Sequence, residues 1–307
     1  MKQSAKQRHL EDAVSHINDA RRLKRKNASA VSIANSYFNA LNKIQTSIPR
    51  SLAEDGRSVG EVRAFQNMIL DCLKDRPDEL SAECISRLAG LDPMVLSHKV
   101  LNDELYEPMA PIEDDLMKKA SSVHRKFHDR LKEFRKQNEG VSLKSVVDIL
   151  AELLYIVRSN IAHGEKTPRG PDLEKNKRDN TVCEVVIPVQ ELLIDLLLAL
   201  PSHKLASYGT LSPGGVNHCI LGGISGNWKD CLLLGQIREG EGLKIYKWDT
   251  TGGEVAAKIL SSPDLPKWWT EIDRFEGARY GRALTLACVD DQWVVANVYM
   301  ENDSSDG

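Results

Sequence analysis

The sequence lacks the features that define several large classes of protein. Its six cysteines include no pair at the Cys-x-x-Cys spacing that zinc sites and redox pairs use. The longest apolar run, Leu192 to Leu200, is interrupted by Asp195 and is too short to span a bilayer. The first residues are polar and contain no apolar core of a signal peptide. We therefore expect a cytoplasmic protein with reduced thiols, no metal, no cofactor and no membrane partner.

There is also no large excess of charge of either sign. The 307 residues carry a formal net charge of −3, from 41 basic and 44 acidic side chains. Proteins that coat nucleic acids usually have a strong basic field, so contact with RNA would need a local patch. Two basic runs, Arg21 to Lys26 and Arg125 to Lys136, could provide one. Such runs are more often the solvated faces of helices than sites of RNA contact.

Tryptophan is absent from the first two thirds of the chain, and glycine is rare there. All five tryptophans and fourteen of the twenty glycines lie after Leu205. Before that residue, apolar side chains recur at three- and four-residue spacing, which indicates helices. After it, short apolar stretches alternate with glycine-containing turns, which indicates strands. The sequence therefore predicts an α+β protein, with an all-α helical bundle over residues 1–200 and a small mixed, barrel-like β domain over residues 205–302.

Apolar periodicity places several helices in the first part of the chain. They are predicted over Ala28 to Ile48, Ser58 to Leu73, Asp114 to Gln137, Ser142 to Ala162 and Val189 to Leu200. Pro201 predicts the end of the last of these helices and the start of a short linker. The segment Lys166 to Thr181 is polar and contains proline and glycine, so a loop is expected there.

The predicted helix from Ser142 to Ala162 carries residues with catalytic chemistry at its end. Arg158 and His163 are five residues apart, with Asn160 between them. In a regular helix their side chains point about 140° apart, so they converge only if the helix ends near Ala162 or two copies of the chain meet. A histidine can act as a general acid or base, and an arginine can stabilise charge that develops on a phosphorus centre.

This arrangement resembles the motif of the HEPN superfamily, an arginine followed after four to six residues by a histidine at the end of an apolar helix. The resemblance implies a homodimer formed through the helical domain. It also implies metal-independent cleavage of RNA, with Arg158 and His163 as the catalytic residues and Asn160 in support. The alternative is a helix end that carries the same residues in a helical domain that only dimerises.

Three landmarks follow one another in the β-rich part of the chain. The first is a strand that runs into Tyr208 to Leu211 and then a Pro-Gly-Gly turn. The second, about sixty residues later, is the segment Trp269 to Arg282, which contains an Asp-x-x-Glu-Gly sequence followed by Tyr280. The third is a late strand, Trp293 to Met300, which contains a tyrosine near its end.

In this order, the three landmarks resemble the γ-glutamylcyclotransferase-like family. In the family reaction, the amine of a γ-glutamyl compound attacks its own side-chain carbonyl and closes to 5-oxoproline. The resemblance implies that Glu276 is the catalytic acid and base, that backbone N–H groups of the first loop hold the α-carboxylate, and that two tyrosines line the pocket and donate hydrogen bonds. The implied substrate-binding residues are Tyr208, Gly209, Thr210, Leu211, Tyr280 and Tyr299.

The two resemblances together predict a HEPN-like ribonuclease module joined to a domain that acts on, or senses, γ-glutamyl amine compounds in stress or phage defence. The implied partners are a second copy of the chain, RNA and a small γ-glutamyl ligand. One alternative is a γ-glutamylamine cyclotransferase with a non-catalytic helical dimerisation domain. Another is a non-catalytic binding protein. Only the cyclotransferase requires Glu276, and only the ribonuclease requires Arg158 and His163.

We expect any cleavage of RNA by this protein to need no divalent metal, because histidine and arginine can supply the proton transfers and the charge stabilisation. The products should end in 2′,3′-cyclic phosphates, since the internal 2′-hydroxyl is the nearest nucleophile. Incubation of RNA with the purified protein in EDTA, beside a His163→Ala variant, measures both properties. Cleavage that EDTA stops, or that His163→Ala retains, would contradict the mechanism.

Overall fold

The computed structural model describes residues 5–47, 61–73, 173–240, 243–249 and 252–302, with a few single residues between 136 and 161. The chain divides into two compact units, Met1–Ile194 and Asp195–Gly307. The first unit is helical throughout its described elements, and the second contains six strands, so the predicted α+β class is confirmed. Within the described part of the chain, no helix combines the length and the apolar character that a membrane crossing requires.

The first unit begins with a helical hairpin of α1 (Ala5–Arg25) and α2 (Ala30–Ser47). At the turn, Asn27 adopts a left-handed φ of 51°, and the N–H of Ala28 donates to the carbonyl of Leu23 at 3.0 Å. The hydroxyl of Ser29 then accepts the N–H of Ser32 at 3.2 Å and caps α2. The bond from Ala28 at the end of α1 and the cap from Ser29 at the start of α2 satisfy backbone groups that helix ends otherwise leave unpaired. The hairpin is therefore tight.

Helices α2 and α3 (Glu61–Leu73) lie where apolar periodicity predicts them, with bounds that differ by at most three residues. The described residues of the segment from Ser142 to Ala162 are also helical. Of the predicted helix Asp114 to Gln137, only Lys136 is described, so that prediction lies outside the described residues.

The loop predicted over Lys166 to Thr181 is wrong from Leu173 onward, because helix α4 (Leu173–Leu197) begins there. The proline and glycine residues of that segment all precede Leu173, and the charged residues that follow are good helix formers. Pro188 lies inside α4. The helix continues past it because its apolar side chains are buried against the rest of the unit, among them Val186 and Val189.

Polar contacts hold α4 against α1 and α2. The hydroxyl of Tyr37, whose side chain is buried, donates to the Glu191 carboxylate at 2.8 Å, and Lys24 pairs with the same carboxylate at 2.9 Å. The amide of the buried Gln190 donates to the carbonyl of Ala34 at 3.1 Å. Buried polar groups are costly unless they are paired, so these contacts select one packing of α4 over its alternatives.

The second unit is a closed five-stranded β-barrel. The described part of this unit contains six strands: β1 (Lys204–Ser207), β2 (Asn227–Gly240), β3 (Leu243–Trp248), β4 (Gly253–Ser261), β5 (Tyr280–Val289) and β6 (Gln292–Glu301). All except β3 form the barrel. Strands β2, β4, β1, β6 and β5 neighbour one another in that order, and the circle closes where Leu232 and Leu233 of β2 pair with β5. The sheet is mixed, since β1 and β6 are parallel and the other pairs are antiparallel.

Strand β2 pairs with β3 as well as with β4 along its length. Its first part pairs with β4, its last part pairs with β3, and the change of partner occurs at Gly235. That glycine has a φ of 154°, and a Cβ there would lie 2.3 Å from the carbonyl oxygen of Lys247. Only glycine fits this close approach, so β3 can extend the sheet beyond the barrel.

Two apolar cores hold the barrel together. The inner one fills the barrel with Ala206, Cys231, Leu233, Tyr246, Ala257, Ile259, Ala287, Ala296 and Val298. The outer one joins the barrel to helix α5 (Leu265–Glu276), and its members are Leu205, Leu211, Leu221, Ile224, Leu260, Leu265, Trp269, Ile272 and Tyr299. The outer core fixes α5 beside the end of β1, where the predicted cyclotransferase residues lie.

We expect Gly235→Ala to lower the free energy of unfolding by about 2 kcal/mol or more, because the new methyl group meets the backbone of β3 and the backbone conformation disfavours alanine. Urea unfolding followed by tryptophan fluorescence measures this unit, since all five tryptophans lie in it. Gly253 is opposite Gly235 in the sheet, and a Cβ there meets nothing within 4 Å. Gly253→Ala is therefore the matched control, and an equal loss in both variants would contradict the argument.

Candidate active site

Glu276 lies on the apolar stripe of α5. The helix has Pro266 in its first turn and ends before Gly277, which has a φ of 67°. Leu265 and Ile272 on this stripe are fully buried, and Glu276 follows Ile272 by four residues. Residues at this spacing share one face of a helix, so the packing that buries the stripe also half-buries the carboxyl group of Glu276.

The loop that follows β1 folds back on itself. The hydroxyl of Ser212 donates to the carbonyl of Ser207 at 3.0 Å, and the N–H of Asn217 donates to the carbonyl of Thr210 at 3.1 Å. A Cβ at Gly215 would lie 2.2 Å from the Thr210 oxygen, so this position requires glycine. The Pro-Gly-Gly turn of the sequence is therefore the hinge at which the chain turns back toward Thr210.

The same loop presents unpaired backbone donors. No acceptor among the described residues takes the N–H groups of Gly209, Thr210 and Leu211. Successive N–H groups in a turn can form a concave anion site, and glycine lets a ligand approach the backbone closely. A carboxylate is the simplest ligand for such a row of donors.

Glu276 and this loop line one cavity of about 560 Å³. The predicted residues Tyr208, Gly209, Thr210, Leu211, Glu276, Tyr280 and Tyr299 all contribute to its wall. The structure therefore brings together every residue that the second resemblance singles out. The cavity is also lined by residues to which the sequence motifs give no role: Ser207, Val216, Asn217, Lys244 and Phe275.

Burial determines the acidity of Glu276. It raises the pKa of the carboxyl group from an ordinary value of 4.5 to about 7, and no cation among the described residues offsets this effect. Near neutral pH, both the carboxylate and the carboxylic acid are then populated. A group in that condition can accept a proton in one step and return it in the next.

Tyr299 is held by an ionic network behind the cavity. Its hydroxyl donates to Asp273 at 2.5 Å, and the guanidinium of Arg282 pairs with the same carboxylate at 3.1 Å. Arg282 in turn lies over the ring of Trp269 at 4.4 Å from its centre. Because its proton is directed to Asp273, Tyr299 lines the cavity without offering that proton to a ligand. Burial, followed by the bond to Asp273, raises its pKa well above the ordinary value.

The sequence motif contains Asp273 and Arg282 but gives them no role. The hydrogen bond between Asp273 and Tyr299 joins residues that lie 26 positions apart in sequence. Tyr208 joins the arrangement from the opposite side, since its hydroxyl donates to the carbonyl of Tyr299 at 3.0 Å. Burial raises the pKa of Tyr208 to about 12, so it remains a neutral donor.

The ribonuclease motif of the first unit is only partly described. Arg158 is helical and half-buried, and it lines a small cavity together with Phe38, Phe65 and Tyr155. Asn160 and His163 lie outside the described residues. Their convergence with Arg158, and the homodimer that would create it, therefore stay predictions.

No group of three or more histidine, cysteine, aspartate and glutamate side chains in the described part of the chain could hold a metal ion. Comparisons of the chain with protein-family models, with curated proteins and with solved structures found no match. The interpretation of the cavity therefore depends on its own geometry and on the three sequence landmarks.

We expect Glu276 to make the stability of the chain depend on pH with a defined sign. Between pH 4.5 and about 7, the folded state keeps a proton on Glu276 that the unfolded state releases. This contribution to stability is fully present below pH 4.5 and is lost as pH rises through about 7. The melting temperature of the wild type should therefore fall relative to Glu276→Gln as pH increases, and a pH-independent difference between the two would refute the shift.

Proposed function

We propose that the second unit converts a γ-glutamyl amine compound into 5-oxoproline and a free amine. The observation that carries the proposal is the half-buried carboxyl group of Glu276, with a pKa of about 7, in the same cavity as a row of unpaired N–H groups. The carboxyl group of Glu276 supplies proton transfer at neutral pH, and the N–H groups supply recognition of an anion. Both are needed to act on a γ-glutamyl head, which carries an ammonium group and a carboxylate.

Binding comes first in the proposed mechanism. The N–H groups of Gly209, Thr210 and Leu211 would hold the α-carboxylate of the substrate. The rings of Tyr208, Tyr280 and Tyr299 would enclose the short aliphatic chain. Because the attacking amine and the carbonyl belong to one molecule, a bent conformer held in this way supplies much of the rate.

Proton transfer follows. The carboxylate of Glu276 takes a proton from the α-ammonium group, and the free amine attacks the γ-carbonyl carbon to form the ring C–N bond. The carboxylic acid of Glu276 then gives the proton to the leaving nitrogen as the original amide C–N bond breaks. The ring nitrogen still carries one surplus proton, which Glu276 transfers in the same way to the released amine, so the amine leaves as an ammonium ion. No net proton is gained or lost, and no water or cofactor enters the balance. A pKa of about 7 suits both halves of this cycle.

The network behind Tyr299 has a positioning role in this proposal. Asp273 and Arg282 fix the tyrosine, and Asp273 belongs to the same helix as Glu276. The network therefore ties α5 to β6 and sets the distance between Glu276 and the loop after β1. A protein that only binds or senses γ-glutamyl compounds would use the same walls without turnover, and this is the alternative to the enzyme.

For the helical unit, none of the contacts among described residues favours a function of its own. Ribonuclease activity with Arg158 and His163, and a role in stress or phage defence, stay predictions from the sequence. A scaffold that dimerises the chain is the alternative for this unit.

We expect Glu276→Gln to lower kcat/KM for γ-glutamyl substrates by about 100-fold or more, because the amide cannot transfer the proton. Release of 5-oxoproline from γ-glutamyl amino acids and ε-(γ-glutamyl)-lysine measures the activity. Glu271→Gln is the matched control, since Glu271 is exposed on the same helix and is not part of the cavity wall. In the wild type, kcat/KM should decline below pH 7 as the base becomes protonated.

Two results would separate the alternatives. Binding of a γ-glutamyl compound by the wild type without release of 5-oxoproline would favour a sensor over an enzyme. Retention of turnover in Glu276→Gln would show that a different group transfers the proton.

A further inference from the structure

The residues that line the Glu276 cavity include large apolar side chains that are exposed. Among the described residues, four large hydrophobic side chains are exposed: Tyr155, Val216, Leu232 and Phe275. Val216 is 83% exposed and Phe275 is 40% exposed, and both line the same cavity as Glu276. Isolated apolar side chains are common on protein surfaces. Two of these four exposed side chains line one cavity, however, and such a cluster marks a surface that a ligand covers.

These two side chains come from different elements. Val216 follows the Gly214-Gly215 hinge of the loop after β1, whereas Phe275 directly precedes Glu276 on α5. Neither belongs to the outer apolar core that joins α5 to the barrel. Within the described part of the protein, these two side chains therefore have no role in packing α5 against the barrel. The polar groups of the cavity already suffice for the glutamyl head, so these apolar groups remain for the other part of the substrate.

We propose that the leaving amine of the substrate carries a large apolar side chain, and that Val216 and Phe275 are the residues that select it. The inference rests on the proposed function, since it assigns the γ-glutamyl head to the N–H groups and Glu276. An aliphatic side chain placed between Val216 and Phe275 removes apolar surface from water on both partners. A polar side chain of the same size gains nothing there and loses part of its hydration.

The test compares two substrates of nearly equal size, γ-glutamyl-leucine and γ-glutamyl-asparagine. Both carry the same head and the same leaving carboxylate, so the ratio of their kcat/KM values isolates the polarity of the side chain. We expect the leucine compound to be favoured by roughly tenfold or more, as is typical when apolar groups are selected by an apolar pocket. Release of 5-oxoproline measures both reactions.

The variants Val216→Ser and Phe275→Ala should each reduce this ratio several-fold. Val216 is so exposed that its replacement removes little packing, which keeps the test independent of folding. Leu232→Ala is the matched control, because Leu232 is 38% exposed, lies on β2 and does not line the cavity. Its ratio should equal that of the wild type.

The outcomes distinguish this inference from the function on which it rests. Equal kcat/KM values for the two substrates, or a ratio that neither cavity variant lowers, would overturn the selectivity and leave the cyclotransferase intact. If Leu232→Ala lowers the ratio of the two kcat/KM values as much as Val216→Ser does, the selectivity is overturned as well. Release of 5-oxoproline from neither substrate would overturn the proposed function together with this inference.

Discussion

The packing of α5 against the barrel is the interaction on which the candidate site depends. Leu265, Trp269 and Ile272 bury the inner face of the helix, and large apolar side chains contribute about 1.5–3 kcal/mol each when fully buried. Glu276 continues the same stripe, so the apolar residues offset the cost of removing a carboxyl group from water. The acidity of the site is thus a consequence of helix packing, because the described structure places no cation near enough to Glu276 to lower its pKa.

Local sequence was sufficient to predict those parts of the site that lie on one short segment. The loop Tyr208 to Leu211 and the glutamate before Gly277 each stand in a recognisable local context. The class of the fold and the positions of α2 and α3 also follow from local periodicity. The proposed selectivity does not follow from local sequence, since Val216 and Phe275 are distinguished only by their exposure in the tertiary structure.

Features that depend on distant segments could not be predicted in this way. The contact of Asp273 with Tyr299 and the closure of the barrel through β2 and β5 both join residues that no periodic pattern connects. The last part of helix α4 lies in the helix predicted over Val189 to Leu200. Its first part was missed, because a run of charged residues after proline and glycine has the composition of a loop. Its helical state follows from burial of the apolar half, which local composition does not reveal.

The position of Glu276 as the last residue of α5 has an electrostatic consequence. Peptide dipoles align along a helix and leave a partial negative charge at its carboxyl end. That end attracts cations, so the end of α5 favours an ammonium group beside Glu276 whether or not the carboxyl group is ionised. The row of N–H groups on the loop after β1 has the opposite polarity. Under the proposed function, these two ends would orient the amino acid head of a γ-glutamyl compound before any proton moves.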